Sequence, residues 1–381
     1  MSSTTTPKRQ NRLPAAYYRS GTSRAVMFNS QDLPQDRDQW AAIFRGVIGS
    51  PDVYGRQLDG MGGGISSLSK ICVVGPSTVG DTADVDYTFA AIGVKDDDVD
   101  YSSNCGNMSS AIGPFAVDMG LVTPTTDNGE CVVNIHNTNT GKIIRSTFPV
   151  VEGEAAASGD FAIAGVAGSG APVRLDFVDP GGSKTGKLLP TGQIIDTCDE
   201  TGIQMTCIDA GNPCVFVGAD AIISPIPDEL PPKAIEGDKA LMDRLELIRR
   251  HAALRMGLAK AHRDVPGSIP KIAMVWAPRH RSAGLEPESG DICVRALSVG
   301  QPHKAVPVTV ALSLAAAAQL PGTVVHRCLK DQKTHTRGIE ICHPTGLLKV
   351  DATYNGKGTL ESAAVYRTAR RLMEGTVFWK Q

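Results

Sequence analysis

RSGTSRAVMF (residues 19–28) and DAGNPCVFVG (209–218) share a plan: a glycine turn, a polar turn residue, then an apolar strand. Gly21 and Gly211 lie 190 positions apart, half of the 381 residues. Two almost wholly apolar helical segments, NMSSAIGPFAVDMG (107–120) and PVTVALSLAAAAQL (307–320), start 200 apart. Two markers with nearly one period point to an internal duplication. The expected fold is α+β (α/β): two pseudo-symmetric halves, each a curved β-sheet around a central buried helix. A disordered tail is expected at 1–16, one half at 17–188 and the other at 189–381, with the closing segment 360–381 able to return to the first half. The linker should lie near DPGGSKTGKLLPTG (179–192), where Gly and Pro concentrate.

Two-residue alternation predicts strands at 15–20, 23–29, 69–75, 84–92, 131–138, 142–150 and 173–178. A second set follows at 203–210, 214–220, 271–277, 291–298, 324–329 and 338–344. Helical spacing predicts helices at 35–50, 239–259 and 360–375 beside the two apolar ones. The segment 307–320 is too short to cross a bilayer and should be buried between layers.

Hydrophobic residues make up 41% and charged residues 20%, the balance of an ordinary globular protein. The net charge of −2 offers no general attraction for nucleic acid or an anionic membrane, so any anion site must be local. Nine cysteines include no C-x-x-C pair, so neither a metal site nor a disulfide framework is expected, and reduced thiols in the cytoplasm are the simplest reading. The start MSSTTTPKRQNR has no apolar stretch of the secretory kind.

Three segments can carry chemistry. NCGNMSS (104–110) opens a helix, and the free N–H groups of a helix start attract an anion such as a carboxylate. Gly106 brings the backbone close to a ligand, and Cys105 sits where a thiolate is stabilised; a buried cysteine beside an ordinary capped helix is the competing reading. In GMGGGISSLSKICVV (60–74), three consecutive glycines suggest close backbone approach without matching a P-loop. Lys70 there precedes an apolar run, and burial of an amine favours the neutral form that a general base needs; the alternative is a surface lysine at a strand edge. RSGTSR (19–24) can cradle a carboxylate with arginine and hydroxyl donors, or be a polar hairpin turn. In the second half, AGNP (210–213), PRHRSAG (278–284) and GQPHKAVPVT (300–309) are the counterparts, with His303, Lys304 and Thr309 ahead of the buried helix. No Ser-His-Asp motif is present.

YYRSGTSRAVMF (17–28), QLDGMGGGISSLSKICVV (57–74), DVDYTFAAIG (84–93), SSNCGNMSSAIGPFAV (102–117), IDAGNPCVFV (208–217) and the run from VRALSVGQPHKA to LPGT (294–323) together resemble the 2-methylaconitate cis–trans isomerase (PrpF) family. The resemblance implies a diaminopimelate epimerase-like fold of two related halves, a site in the cleft between them, and no cofactor or metal. It implies an isomerase of unsaturated tricarboxylates that moves an allylic proton, with cis-aconitate or methylaconitate as substrate. An oxalomesaconate tautomerase, a methylitaconate Δ-isomerase and a catalytically silent carboxylate-binding relative are the alternatives. Lys70 is implied as the main base, with Cys105 beside the substrate. Substrate contacts are implied for Arg19, Ser20, Gly21, Thr22, Ser23, Gly64, Ser66, Ser67, Asn104, Gly106, Asn107, Met108, Ser109, Asn212, Arg281, His303 and Thr309. The partners expected are a small-molecule tricarboxylate and a second copy in a homodimer, without nucleic acid or membrane. One departure stands out: diaminopimelate epimerases use a cysteine from each half, whereas KAVPVTVAL (304–312) has none. That favours a one-sided base over two-thiol chemistry.

Overall fold

A computed structural model describes residues 9–102, 104–227, 229–279, 288–298, 300–331 and 338–380. The chain divides into two compact units. Unit 1 holds residues up to Ala162, Val166–Leu175 and the chain from Arg367; unit 2 holds Ile163–Gly165 and Asp176–Tyr366.

Unit 1 contains β1 (Asn11–Ser20), β2 (Ser23–Asn29), α1 (Trp40–Ile48), β3 (Lys70–Pro76), β4 (Val85–Ile92), β5 (Val99–Asp100), α2 (Ser109–Asp118), β6 (Gly129–Asn137), β7 (Lys142–Val151), β8 (Glu154–Ala155) and most of β9 (Pro172–Val178). The hairpin β1–β2 is antiparallel, β2–β3 parallel, β3–β4 antiparallel, β4–β6 parallel and β6–β7 antiparallel. Unit 2 contains β10 (Asp196–Thr197), β11 (Gln204–Asp209), β12 (Pro213–Gly218), α3 (Ala219–Ile222), α4 (Pro232–Gly237), α5 (Lys239–Arg255), β13 (Lys271–Trp276), β14 (Ile292–Ser298), β15 (Gln301–Pro302), α6 (Val308–Ala318), α7 (Val324–Arg327), β16 (Ile339–His343) and β17 (Gly346–Tyr354). Its pairings run β11–β12 antiparallel, β12–β13 parallel, β13–β14 antiparallel, β14–β16 parallel and β16–β17 antiparallel, the order found in unit 1. The last strand, β18 (Leu360–Trp379), pairs with β17 through its first residues and with β1 from Ala369 onward.

Each sheet lies between two kinds of helix. In α1 the apolar positions Trp40, Ile43, Phe44, Val47 and Ile48 follow helical spacing and pack on Val26, Phe28, Ile71 and Val73. Gly49, at φ +82°, ends that helix in the left-handed conformation. In unit 2, Leu241, Leu245, Ile248 and Ala252 of α5 cover Met205, Val215, Val217, Ile272 and Met274. The other helix of each unit has no polar stripe. Every residue from Ser109 to Val117 is buried, as is every residue from Val310 to Ala318. Strands packed on both faces read as continuous apolar runs, which is why ICVV of β3 and CVFVG of β12 lack alternation. Gly113 lets α2 lie against β7: a Cβ there would meet Phe148 at 2.6 Å and Ser146 Oγ at 2.7 Å.

The structure corrects several expectations. The segment 360–375 is strand, not helix, because β1 and β17 offer it backbone partners that local spacing does not reveal. The segment 324–329 is not a strand: Val324–Arg327 form a helical turn whose His326 N–H donates to Thr323 Oγ1 at 3.0 Å. The tail expected over 1–16 ends sooner, since 11–16 pair with 374–379. A strand at 346–354 goes unread in the sequence. The units part at Leu175/Asp176, ahead of the expected border at 188/189. Among the described residues, no helix is long and apolar enough to cross a membrane.

Candidate active site

The site builds on the parity of β3. Ile71 and Val73 face α1, so Lys70 and Cys72 point to the side where α2 packs. Lys70 is half-buried, its Nζ 4.9 Å from the centre of the Phe89 ring. Cys72 is fully buried and pairs across the ladder with Phe89; its Sγ lies 3.9 Å from the Tyr87 hydroxyl. Burial pushes the Cys72 thiol far up, and proximity to Cys105 adds to that, while the Lys70 charge opposes it. Burial likewise raises Tyr87, with Cys72 and Cys105 contributing. Cys72 is thus a neutral thiol within electrostatic reach of both Lys70 and Cys105.

The start of α2 is held by short polar ties. The hydrogen-bond ladder begins with Ser109 N–H to Cys105 C=O at 3.0 Å, so the N–H groups just ahead lie before the ladder, as at any helix start. Ser109 Oγ donates to Cys105 C=O at 3.2 Å and to Asn104 Oδ1 at 3.3 Å. Asn107 is the hub: its Nδ2 donates to Thr22 Oγ1 at 3.1 Å and its Oδ1 accepts from Arg367 Nε at 3.3 Å. Ser20, fully buried, donates to the Asn107 carbonyl at 2.5 Å and lies 2.8 Å from Ser110 Oγ. Gly21 permits this approach, since a Cβ there would stand 2.5 Å from Asn107 Oδ1. Ser23 is buried opposite Ser20 in the hairpin, and Met108 is fully buried. Desolvation lowers the Arg367 guanidinium to about 10, which still leaves a cation at neutral pH.

Arg19 is tied to the backbone. Its Nη1 donates to Gly21 C=O at 3.2 Å and to Thr368 at 2.9 and 3.0 Å, bracing the hairpin against β18. The glycine run is also a brace. Gln57 Oε1 accepts from Gly64 N–H at 2.8 Å and from Ser69 Oγ at 2.7 Å, and a Cβ on Gly64 would run into the Gly55 carbonyl. Ser69 is fully buried and fixes where Lys70 enters the strand; Ser66 is exposed and Ser67 half-buried in the turn before it.

In unit 2, the Asn212 carbonyl accepts from Ser313 Oγ at 3.1 Å. His303 Nε2 is buried without a hydrogen-bond partner, and burial followed by the charge of Lys271 holds the imidazole below its usual pKa. The Thr309 carbonyl lies 4.0 Å from Cys214 Sγ. Arg281 lies outside the described residues.

Sequence reading missed Cys72, Tyr87, Ser69, Arg367 and Lys271. Cys72 was within reach, two residues after Lys70 on the same strand face. Arg367 was not: it meets Asn107 across 260 positions, and no local pattern marks it.

The chain is 37% identical to a 3-methylitaconate isomerase of Eubacterium barkeri and 38% identical to a 2-methyl-aconitate isomerase of Shewanella oneidensis, each match covering 97% of both chains. It is 34% identical to a 4-oxalomesaconate tautomerase of Pseudomonas putida, over 97% of this chain and 96% of that one. The crystal structure of a methylitaconate-delta-isomerase superposes with a TM-score of 0.89 at 37% identity, covering 98% of this chain and 96% of the other. Residues 10–380 match the PrpF protein family, and the chain belongs to it.

Proposed function

We propose that this protein is a cofactor-independent isomerase of unsaturated tricarboxylates acting by allylic proton transfer, with cis-aconitate to trans-aconitate, or the same rotation in 2-methylaconitate, as its reaction. The observation that carries this reading is Lys70, half-buried at the head of β3 on the strand face where α2 packs, with Cys105 just ahead of that helix. Full-length relatives that bear isomerase and tautomerase names support it.

Aconitate carries a methylene next to its double bond. Lys70, as the free amine, takes one methylene proton, and the electron pair left behind spreads through the double bond into a carboxylate. The former double bond gains single-bond character and rotates. Return of the proton to the same carbon gives the trans isomer, and return to the far end moves the double bond. Cys105 is placed to hold or relay that proton. The carboxylates and the developing charge are met by the N–H groups of Gly106, Asn107 and Met108 and by the Arg367 guanidinium; one such donor is worth roughly 3 kcal/mol. Ser20, Gly21, Thr22 and Ser23 hold these groups in place. The repeated pairing order of the two units supports halves of the diaminopimelate epimerase kind.

Proton NMR in deuterated water tests the proposal, with cis-aconitate, 2-methylaconitate, methylitaconate and 4-oxalomesaconate in parallel tubes. The expected result is isomer formation with deuterium in the allylic position of at least one acid. Preference for either of the last two assigns double-bond migration in place of rotation. No exchange in any tube contradicts an isomerase of this class.

A further inference from the structure

A second cluster of reactive side chains lies in unit 2, apart from every residue assigned above. The chain after β10 makes a tight turn, in which the N–H groups of Thr201 and Gly202 both donate to the Cys198 carbonyl, at 3.2 and 2.7 Å, and Cys198 N–H donates to Ile203 C=O at 2.9 Å. The turn presents Cys198, Asp199 and Glu200 to the last turns of α5. Cys198 Sγ lies 3.4 Å from Glu200 Oε2, and His251 Nδ1 lies 2.7 Å from the same oxygen. One donor atom each from Cys198, Glu200 and His251 falls within 4.8 Å of the others. His262 brings its Nε2 to 3.8 Å from Glu200 Oε1. His251 is 7% exposed, and its Nε2 is buried without a hydrogen-bond partner; Asp199 Oδ2 stands 3.7 Å away.

We propose that Cys198, Glu200 and His251 bind one borderline-soft divalent cation of the Zn2+ class, with water in the fourth position, which clamps the 198–203 turn to the end of α5. The donor chemistry selects the ion. A thiolate with an imidazole and a carboxylate is a set that zinc takes, whereas magnesium and calcium demand oxygen. Bond lengths of about 2.0–2.3 Å place tetrahedral donors roughly 3.4 Å apart. The Cys198–Glu200 distance matches that edge, while the shorter His251–Glu200 contact opens as the ion enters. Charge also closes: thiolate and carboxylate together offset the 2+ ion, and the thiol proton passes to solvent on binding. Metal on His251 Nδ1 leaves the proton on Nε2, and Asp199 Oδ2 stands 3.7 Å from that nitrogen. The absence of C-x-x-C spacing conceals the site from a sequence scan, because its donors come from a turn and a helix.

Co2+ titration of the chelator-treated full chain tests this. The expected result is a thiolate-to-cobalt charge-transfer band and tetrahedral ligand-field bands that saturate at one equivalent, are displaced by Zn2+, and are unaffected by Mg2+ or Ca2+. Cys198→Ser should abolish the charge-transfer band. Glu200→Gln, at an exposed side chain, should weaken Co2+ binding at least tenfold while the apo protein keeps its unfolding midpoint. Zn2+ should raise that midpoint in the unaltered protein and not in the variants. A band that survives Cys198→Ser, or no saturable band at all, overturns the proposal and leaves a hydrogen-bonded cluster only.

Discussion

The β1–β2–β3 and α2 region of unit 1 and the β11–β12–β13 and α6 region of unit 2 share one backbone plan and diverge in their side chains. Both strands begin with a lysine, Lys70 and Lys271. Both hairpins turn on a glycine of positive φ, Gly21 at +55° and Gly211 at +81°. Both tie the hairpin to the helix through a buried serine. In unit 1 the hairpin Ser20 donates to the helix-start carbonyl of Asn107; in unit 2 the helix Ser313 donates to the hairpin carbonyls of Ala210 and Asn212. The reacting groups do not repeat. Cys72 faces Phe89 across the ladder, and the matching pair in unit 2 is Ala273 with Ala296. Cys105 precedes α2, whereas Pro307 caps α6. The two units keep one order of strand pairing, and the unit 2 positions that match Cys72 and Cys105 hold no thiol.

Predictions that would break or sharpen this contrast fall in order of size. Lys70→Ala should lower kcat by about 10²–10⁴-fold, the usual worth of a general base, whereas Lys271→Ala should stay within about tenfold. Equal losses would remove the asymmetry. The two central helices should be alike in stability: urea unfolding should show a cost of ~3–5 kcal/mol for Phe115→Ala and ~2–5 kcal/mol for Leu314→Ala, both side chains being fully buried. Arg367→Ala should raise KM about 10- to 100-fold with a smaller change in kcat, the signature of a lost charge-assisted contact, and Arg367→Lys should recover part of it. Unchanged KM would return Arg367 to a purely structural place beside Asn107.

Smaller effects separate the hairpins. Gly21→Ala should raise KM more than Gly211→Ala does. A Cβ at 21 meets Asn107 Oδ1 at 2.5 Å, whereas one at 211 meets only the flexible end of Leu312 at 3.3 Å. The smallest concerns pH. Folding holds the His303 imidazole below its unfolded value, so the unfolded chain binds the proton more readily. Its contribution is fully present above about pH 6.5, and stability is lost as pH falls from there through the lowered folded value. His303→Gln should flatten that slope when unfolding midpoints are compared across the range.

What the sequence disclosed follows from the range of each signal. The glycine hairpins, the apolar helices and Lys70 at the head of ICVV are local patterns, and the structure has each element where it was expected. The segment LESAAVYRTARRLMEG misled, because its spacing suits either a helix or a strand and pairing with β1 and β17 decides between them. Misreading that strand also concealed Arg367, since an arginine on an outer helix has no reason to meet Asn107. The bracing of Arg19 Nη1 by the Thr368 carbonyl was equally out of reach, since the two lie 349 positions apart.

The most direct test of one-sided proton transfer is deuterium incorporation at the allylic carbon, measured by NMR for the unaltered protein, Lys70→Ala and Lys271→Ala on whichever acid turns over. The account predicts exchange that is lost in Lys70→Ala and retained in Lys271→Ala. Exchange that persists in Lys70→Ala would contradict it and return the role of base to Cys105.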